Sequence, residues 1–340
     1  MSKQFNVAVV GATGAVGETI LNILEERNFP IANLYPLASS RSAGSDIEFK
    51  GANYSIEDLD KFDFTKVDIA LFSAGGDISA KYAPIATHKG AIVIDNTSFY
   101  RYDNDIPLVI PEVNPHAIAG YKNKGIIANP NCSTIQMLVA LKPIYDLAGI
   151  DEITVSTYQA VSGSGRKAID ELIKHTGSML NGRQEEPEVY SQSIAFNVLP
   201  QIDVFMENGY TKEEMKMVWE THKILEDNTI TVNPTAVRVP VLYGHSEAIN
   251  LKLKSPCTSD NVRKLLRKSA GIEVIDNPSE LQFPTPLKHA AGMDHIYVGR
   301  IRQELNNDKG LNLWVVGDNV RKGAALNAVQ IAEILIADYL

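Results

Sequence analysis

The chain has 340 residues, 44% hydrophobic and 21% charged, with 32 Lys and Arg against 41 Asp and Glu for a net charge of −9. This is the composition of a globular protein, longer than one ordinary domain, so two domains are expected. An extended basic surface for nucleic acid or anionic lipid is excluded, and no run approaches the ~20 apolar residues of a membrane helix. The N-terminus leads straight into a strand-like run rather than a secretory signal, which predicts a cytoplasmic protein. Two cysteines, Cys132 and Cys257, are too few for a disulfide framework or a zinc cluster, so cysteine chemistry would rest on a single thiol and no metal is expected.

The first third alternates strands and helices. Phe5–Val10 is an apolar run that ends in glycine, and 16–27 places Val16, Ile20, Leu21, Ile23 and Leu24 at helical spacing. Segments 33–38, 68–72 and 91–94 read as strands, with 82–88 in a helix between the last two; 108–110 and 126–128 read as further short strands. Such alternation predicts an α/β fold, a Rossmann-like parallel sheet with helices on both faces. The texture changes at Asn129-Pro130-Asn131-Cys132. A helix over 133–148, a strand over 153–160, a Gly/Ser turn at 162–165 and a helix over 166–176 follow, then a polar surface segment at 181–193. The helix Lys212–Leu225, strands at 237–242, 248–253, Ile296–Glu304 and 312–317, and an apolar helix over 323–340 complete an α+β domain with a mixed sheet. The last helix could pack on either domain.

Gly11-Ala12-Thr13-Gly14-Ala15-Val16-Gly17 lies between the first strand and the first helix. Glycines there permit a tight turn that turns the helix N-terminus toward a pyrophosphate, although the spacing departs from the usual G-x-G-x-x-G. The second strand ends in Ala38-Ser39-Ser40-Arg41-Ser42. NAD sites usually carry an acid there; two hydroxyls and a guanidinium suit a 2′-phosphate, so NADP is expected. Ser73 and Gly75, after the third strand, fall at the same carboxyl edge.

Cys132 stands in the first turn of its helix, where exposed N–H groups and the helix dipole favour a thiolate. Lowering a thiol from about 8.5 to about 7 takes roughly 2 kcal/mol. Cys257, in a Ser-Pro-Cys-Thr turn, reads as structural filler. His245 follows a strand ending in Gly244, a turn that would leave it exposed enough for general-base work; the other histidines read as structural. Lys216, Glu220 and Lys223 recur at i, i+4 and i+7 on one helix face, which by itself reads as solvated surface.

Taken together, Gly11–Gly17, Asn131-Cys132-Ser133, Gln159-Ala160-Val161-Ser162-Gly163, Arg238–His245 and Gly317-Asp318-Asn319-Val320-Arg321-Lys322-Gly323-Ala324-Ala325 resemble, in order, the motifs of the aspartate-β-semialdehyde dehydrogenases. The resemblance implies Cys132 as nucleophile, His245 as acid/base and Gln159 as a residue that positions the substrate. It implies Arg238 for the substrate carboxylate, Glu220 for its ammonium, and Arg101, Asn131, Lys223 and Lys216 for phosphate. Ser162, Gly163 and Asn319 would face the nicotinamide half of NADP, with Gly11, Ala12, Thr13, Gly14, Ala15, Val16, Ser39, Ser40, Arg41, Ser73 and Gly75 holding the rest. The implied reaction is reversible reductive dephosphorylation of aspartyl phosphate to the semialdehyde, in biosynthesis of lysine and diaminopimelate, methionine, threonine and isoleucine. The implied domains are 1–131 with 320–340 for NADP and 132–319 for catalysis and dimerisation, in a homodimer with a tetramer as the alternative. An N-acetyl-glutamyl-phosphate reductase shares the chemistry, but a Glu220/Arg238 pair suits a free amino acid. A glyceraldehyde-phosphate dehydrogenase would carry a different cysteine signature, and an NADP-binding sensor would bind cofactor without turnover.

Overall fold

The computed structural model describes residues 3–340. In chain order the strands and helices are β1 (Phe5–Val10), α1 (Ala15–Glu26), β2 (Ile31–Ala38), β3 (Asp46–Phe49), β4 (Ala52–Ser55), β5 (Glu57–Asp58), β6 (Ile69–Phe72), α2 (Gly76–His88), β7 (Ile92–Asp95) and β8 (Ile126–Ala128). They continue with α3 (Cys132–Ala148), β9 (Ile150–Gln159), α4 (Arg166–Leu180), α5 (Lys212–Leu225), β10 (Thr231–Arg238), β11 (His245–Leu253), α6 (Ser259–Leu266), β12 (Ile272–Val274), β13 (Ile296–Glu304), β14 (Asn307–Gly317) and α7 (Leu326–Asp338). The chain divides into two compact units, one running to Pro130 and including Ala324–Leu340, the other Asn131–Gly323.

In the first unit a six-stranded sheet runs β5-β2-β1-β6-β7-β8, every pair parallel. Val7–Val10 of β1 and all of β6 are buried, as strands covered on both faces must be. Helix α1 turns Ile20, Leu21, Ile23 and Leu24 into a core shared with Ala328, Val329, Ile331, Ala332 and Leu335 of α7. Buried Asn327 donates to the Val109 carbonyl and to Asn129 Oδ1, tying α7 to the end of β8. The expected strand at 108–110 is reduced to one bridge, Leu108 to Ala128. Pro107 and Pro111 bracket it, and Asn114 Oδ1 takes the Ile110 N–H at 2.9 Å, so no further ladder forms.

The second unit holds a mixed sheet in the order β10-β9-β11-β14-β13-β12. The β10–β9 and β12–β13 pairs are parallel and the rest antiparallel. Helix α3, buried from Ser133 through Leu141, lies across β9, β11, β13 and β14. Ile153, Val155, Ile249, Leu251, Val298, Leu311, Leu313 and Val315 are among the buried residues of those strands. The expected strand at 237–242 ends at Arg238. Pro240 has no N–H to donate, and the chain loops to Gly244, whose φ of +88° turns it into β11 at His245. That strand therefore begins with the histidine.

Candidate active site

In the first unit, the turn after β1 is pinned from beneath. The Gly11 and Ala12 N–H groups donate to the Leu37 carbonyl, and Gly14 N–H donates to Gly11 O at 3.0 Å. Gly11 has φ +88°, and a Cβ on Gly17 would lie 2.1 Å from Gly11 O, so turn and helix meet at a distance only glycine allows. The N-cap of α1 is Gly14, with no side-chain acceptor on the first-turn N–H groups. Thr13 and Gly14 are exposed, with Ala15 and Val16 half-buried behind them. An anion fits such a helix start. Ser39, Ser40 and Arg41 form an exposed turn after β2, with Ser42 N–H closing onto Ser39 O at 2.9 Å. Ser73 Oγ donates to Val10 O, and Gly75, φ +106°, is the N-cap of α2. Arg101 is buried and donates from Nη2 to Asn96 O at 2.9 Å.

In the second unit Cys132 is the first residue of α3 and is half-buried. Its N-cap, Asn131, accepts from the Ser133 and Thr134 N–H groups through Oδ1, at 3.0 and 3.4 Å. A Cβ on Gly323 would come within 2.8 Å of the Cys132 Cβ, so the loop after β14 needs a glycine where it passes the thiol residue. Asp318 shapes that loop, accepting from Val320 and Arg321 N–H through Oδ1 and from Gly292 N–H through Oδ2.

Behind the thiol is a buried polar network. Asn131 Nδ2 donates to Glu213 Oε1 at 2.9 Å, and Gln159 Nε2 donates to the same oxygen at 3.2 Å and to Thr157 Oγ1 at 3.2 Å. Glu213 Oε2 lies 3.0 Å from Lys216 Nζ, which also reaches Asp203 Oδ2 at 2.9 Å. Burial pushes the Glu213 carboxyl up, but the Lys216 charge and the hydrogen bonds from Lys216, Asn131 and Gln159 outweigh it and bring the pKa down to about 2. Glu220, wholly buried on the same helix, accepts the Asn131 backbone N–H at 2.6 Å, with half-buried Lys223 three residues further on.

His245 pairs with Gly317 in the β11–β14 ladder, on the buried face of the sheet. The expectation that it is exposed is wrong: as the first residue of β11 it points inward, with none of its surface accessible. Its Nδ1 accepts the Ala160 N–H at 3.0 Å, and Nε2 is buried without a hydrogen-bond partner. Burial, then the nearby Arg238 charge, lower its pKa to about 3, against an opposing pull from Glu213. The neutral ring therefore carries its proton on Nε2. Arg238, buried at the end of β10, donates from Nη1 to Ala160 O at 2.7 Å and lies over the Tyr190 ring. A Cβ on Gly163 would fall 3.1 Å from Arg238 Nη1 and 3.4 Å from His245 Nε2, so residue 163 packs tightly against both side chains. Asn319 Oδ1 accepts from Gly244 N–H and Ser162 Oγ.

Cys132, Asn131, Gln159, Glu220, Lys216, Arg238, Gly163 and His245 thus converge around the head of α3 and the ends of β9 and β10. Sequence reasoning missed Glu213, Asp203 and the Ala160 N–H. The helical period contained Glu213, at i−3 from Lys216 and i−7 from Glu220. Cys257 is buried, and burial raises its thiol pKa. Among the described residues no helix is long and apolar enough to cross a membrane.

Residues 6–121 match the family model described as semialdehyde dehydrogenase, NAD binding domain, and residues 141–322 that of semialdehyde dehydrogenase, dimerisation domain. The chain is 62% identical over 339 residues to an aspartate-semialdehyde dehydrogenase of Shewanella sp. (strain DB6705), covering 100% of both. It is similar to the crystal structure of aspartate semialdehyde dehydrogenase II from Vibrio cholerae complexed with ASA, at 58% identity, TM-score 0.98 and 100% coverage of both chains. A more distant similarity, 26% identity and TM-score 0.76 over 98% of each chain, is to aspartate semialdehyde dehydrogenase with NADP from Candida albicans.

Proposed function

Because the chain belongs to the aspartate-semialdehyde dehydrogenase family, we propose that it reduces L-4-aspartyl phosphate to L-aspartate 4-semialdehyde and phosphate through a thioester on Cys132, with NADP as cofactor. It is an oxidoreductase with an NAD(P)-binding domain. The observation that carries the finer reading is the half-buried Cys132 at the head of α3, its cap and neighbours held by a buried polar network. The N-terminal dipole of α3 favours the thiolate. The exposed Ser39-Ser40-Arg41 turn, free of acids, supports a 2′-phosphate and hence NADP over NAD. The relative from Candida albicans is described with NADP.

The Cys132 sulfur attacks the acyl carbon; a C–S bond forms as the C–O bond breaks, and phosphate departs with the electron pair. The nicotinamide, when bound, supplies the hydride for reduction. Cys132 then leaves as thiolate when the C–S bond breaks. His245, its Nδ1 already occupied by the Ala160 N–H, serves the carbonyl oxygen as a neutral Nε2–H donor where charge develops. Arg238 takes the α-carboxylate and Glu220 the ammonium, while Arg101, Asn131 and Lys223 serve the phosphate. Gln159 positions the acyl group, and Ser162, Gly163 and Asn319 serve the nicotinamide. The product enters lysine and diaminopimelate, methionine, threonine and isoleucine biosynthesis. A homodimer, with a tetramer as the alternative, is supported by the match to a dimerisation domain and by Tyr158 and Trp314, whose rings meet on the less buried face of the sheet.

The test is phosphate-dependent reduction of NADP⁺ by L-aspartate-β-semialdehyde, wild type against Cys132→Ser and Cys132→Ala. Turnover that needs phosphate and collapses in both variants is expected. Folded wild type without turnover would overturn the substrate, and activity surviving in Cys132→Ala would overturn the thioester.

A further inference from the structure

Resting on the reading of Cys132 as nucleophile, we propose that Glu213, with Lys216 and Asp203 behind it, is a positioning residue that sets which atoms of Asn131 and Gln159 face the reaction. A carboxylate only accepts. By taking both amide nitrogens on Oε1, at 2.9 and 3.2 Å, Glu213 forces each amide into one of its two orientations. For Asn131 this turns Oδ1 onto the Ser133 and Thr134 N–H groups, which caps α3 at the thiol. For Gln159, whose Nε2 also donates to Thr157 Oγ1, it leaves Oε1, an acceptor, as the amide's remaining polar atom.

An anion this buried, 4% exposed, needs a counter-ion, and Lys216 is that counter-ion. Its ammonium stands between Glu213 and Asp203, at 3.0 and 2.9 Å, so its charge is already matched by two carboxylates of its own unit. Lys216 therefore acts through Glu213 and is not assigned to the phosphate. The chain of dependence runs Asp203, Lys216, Glu213, then the two amides. Its outer end, Asp203, is exposed and its inner end dry.

The two variants that test it fail in different ways. Glu213→Gln keeps the volume, but its NH₂ must face either the Lys216 ammonium or the two amide donors. We expect kcat to fall by about 10²-fold, the scale of misplaced reacting groups, and KM for phosphate to rise as the Asn131 amide turns. Lys216→Met strips Glu213 of its counter-ion, so burial is less opposed and the carboxyl pKa rises. The variant should then show a new acid limb in kcat, recover toward wild type as the pH rises, and lose that limb when Glu213→Gln is added. Asp203→Asn, at the accessible end, should show a weaker limb in the same direction and serves if either inner variant does not fold.

Wild-type kcat in folded Glu213→Gln would overturn the proposal. So would a Lys216→Met profile in which KM for phosphate rises while kcat keeps its wild-type pH dependence, which would return Lys216 to the phosphate. Iodoacetamide labelling and turnover of Cys132→Ala in the same series separate the two layers. Activity in Cys132→Ala defeats the nucleophile reading, whereas a dead Cys132→Ala beside a normal Glu213→Gln defeats only the positioning role.

Discussion

Replacing His245 distinguishes two ways in which an imidazole can serve a carbonyl oxygen. Its Nδ1 accepts the Ala160 N–H at 3.0 Å, so a proton placed on Nδ1 would set two N–H groups against each other. The imidazolium would also be a buried cation close to the Arg238 guanidinium. A neutral Nε2–H donor should then be worth what one oxyanion donor is worth, about 10²–10³-fold in kcat or roughly 3–4 kcal/mol. His245→Ala is expected to lose that factor. His245→Gln keeps an N–H donor of similar reach but cannot exchange a proton near neutrality. It should stay within about 10-fold of wild type in kcat, well short of the donor's full worth. It should also be less stable by about 1–3 kcal/mol, because the Ala160 N–H loses its acceptor. The assay is the phosphate-dependent NADP⁺ reduction, with kcat and KM followed separately between about pH 5 and 8, where an unperturbed histidine would titrate. A glutamine variant as inactive as the alanine variant, together with a wild-type kcat limb that vanishes in it, would refute the donor reasoning and restore acid–base catalysis.

Three further outcomes follow from the same geometry. In Gly323→Ala the new Cβ meets the Cys132 Cβ at 2.8 Å; an overpacking cost of about 1–3 kcal/mol and slower iodoacetamide labelling of Cys132 are expected, read by denaturant titration and mass spectrometry. Acidification should destabilise the protein in two overlapping windows. The unfolded chain takes up a proton at His245 from about pH 6.5 downward while the folded one waits until about 3, and Glu213 repeats this between about 4.5 and 2, a term of about 3 kcal/mol. Urea titrations of wild type and Glu213→Gln should converge in pH dependence only where the Glu213 window is absent. Glu247 has the opposite sign: it is wholly buried, neither oxygen has a hydrogen-bond partner, and burial raises its pKa well above 4.5. The folded state keeps a proton that the unfolded state gives up, so stability falls as the pH rises above about 4.5. Glu247→Gln should therefore gain on wild type at pH 8 relative to pH 5 (both about), and an equal difference at both would contradict a protonated Glu247.

Much of the fold was legible because the signals were local and repeated. β1, the α5 helix and β13 fall at the expected bounds: β1 is an apolar run ending in glycine, α5 carries a capping box at Thr211 and Glu214, and β13 opens on the unbroken apolar run Ile296-Tyr297-Val298. The β3–β4 hairpin was missed: its strands have four residues each, its apolar residues are sparse, and its turn relies on left-handed Lys50 and Gly51. Helix α6 was missed because eight residues bury only Val262 and Leu266, too few to display a period. The strand expected at 237–242 failed where hydrophobicity and hydrogen bonding disagree. Val239, Val241 and Leu242 read as strand, but Pro240 breaks the ladder and the loop is what brings Gly244 to its turn.

The residue types of the candidate site were legible in the sequence and their surroundings were not, and the surroundings set donor and acceptor polarity. Cys132, Gln159, Arg238 and His245 stand at turns and element ends, where sequence punctuation is strongest. Their donor and acceptor polarity is set from behind by groups that carry no such punctuation. A backbone N–H, that of Ala160, makes His245 a donor through Nε2; an accept-only carboxylate, Glu213, makes Gln159 an acceptor through Oε1 and fixes Asn131 as the cap of the Cys132 helix. Backbone N–H groups are the same at every position, so no composition rule singles out Ala160. Glu213 looks like any helix-surface glutamate until the sheet covers it. A site built this way tolerates little exchange between histidine protonation states or amide orientations, because each flip would oppose two donors in a place water does not reach.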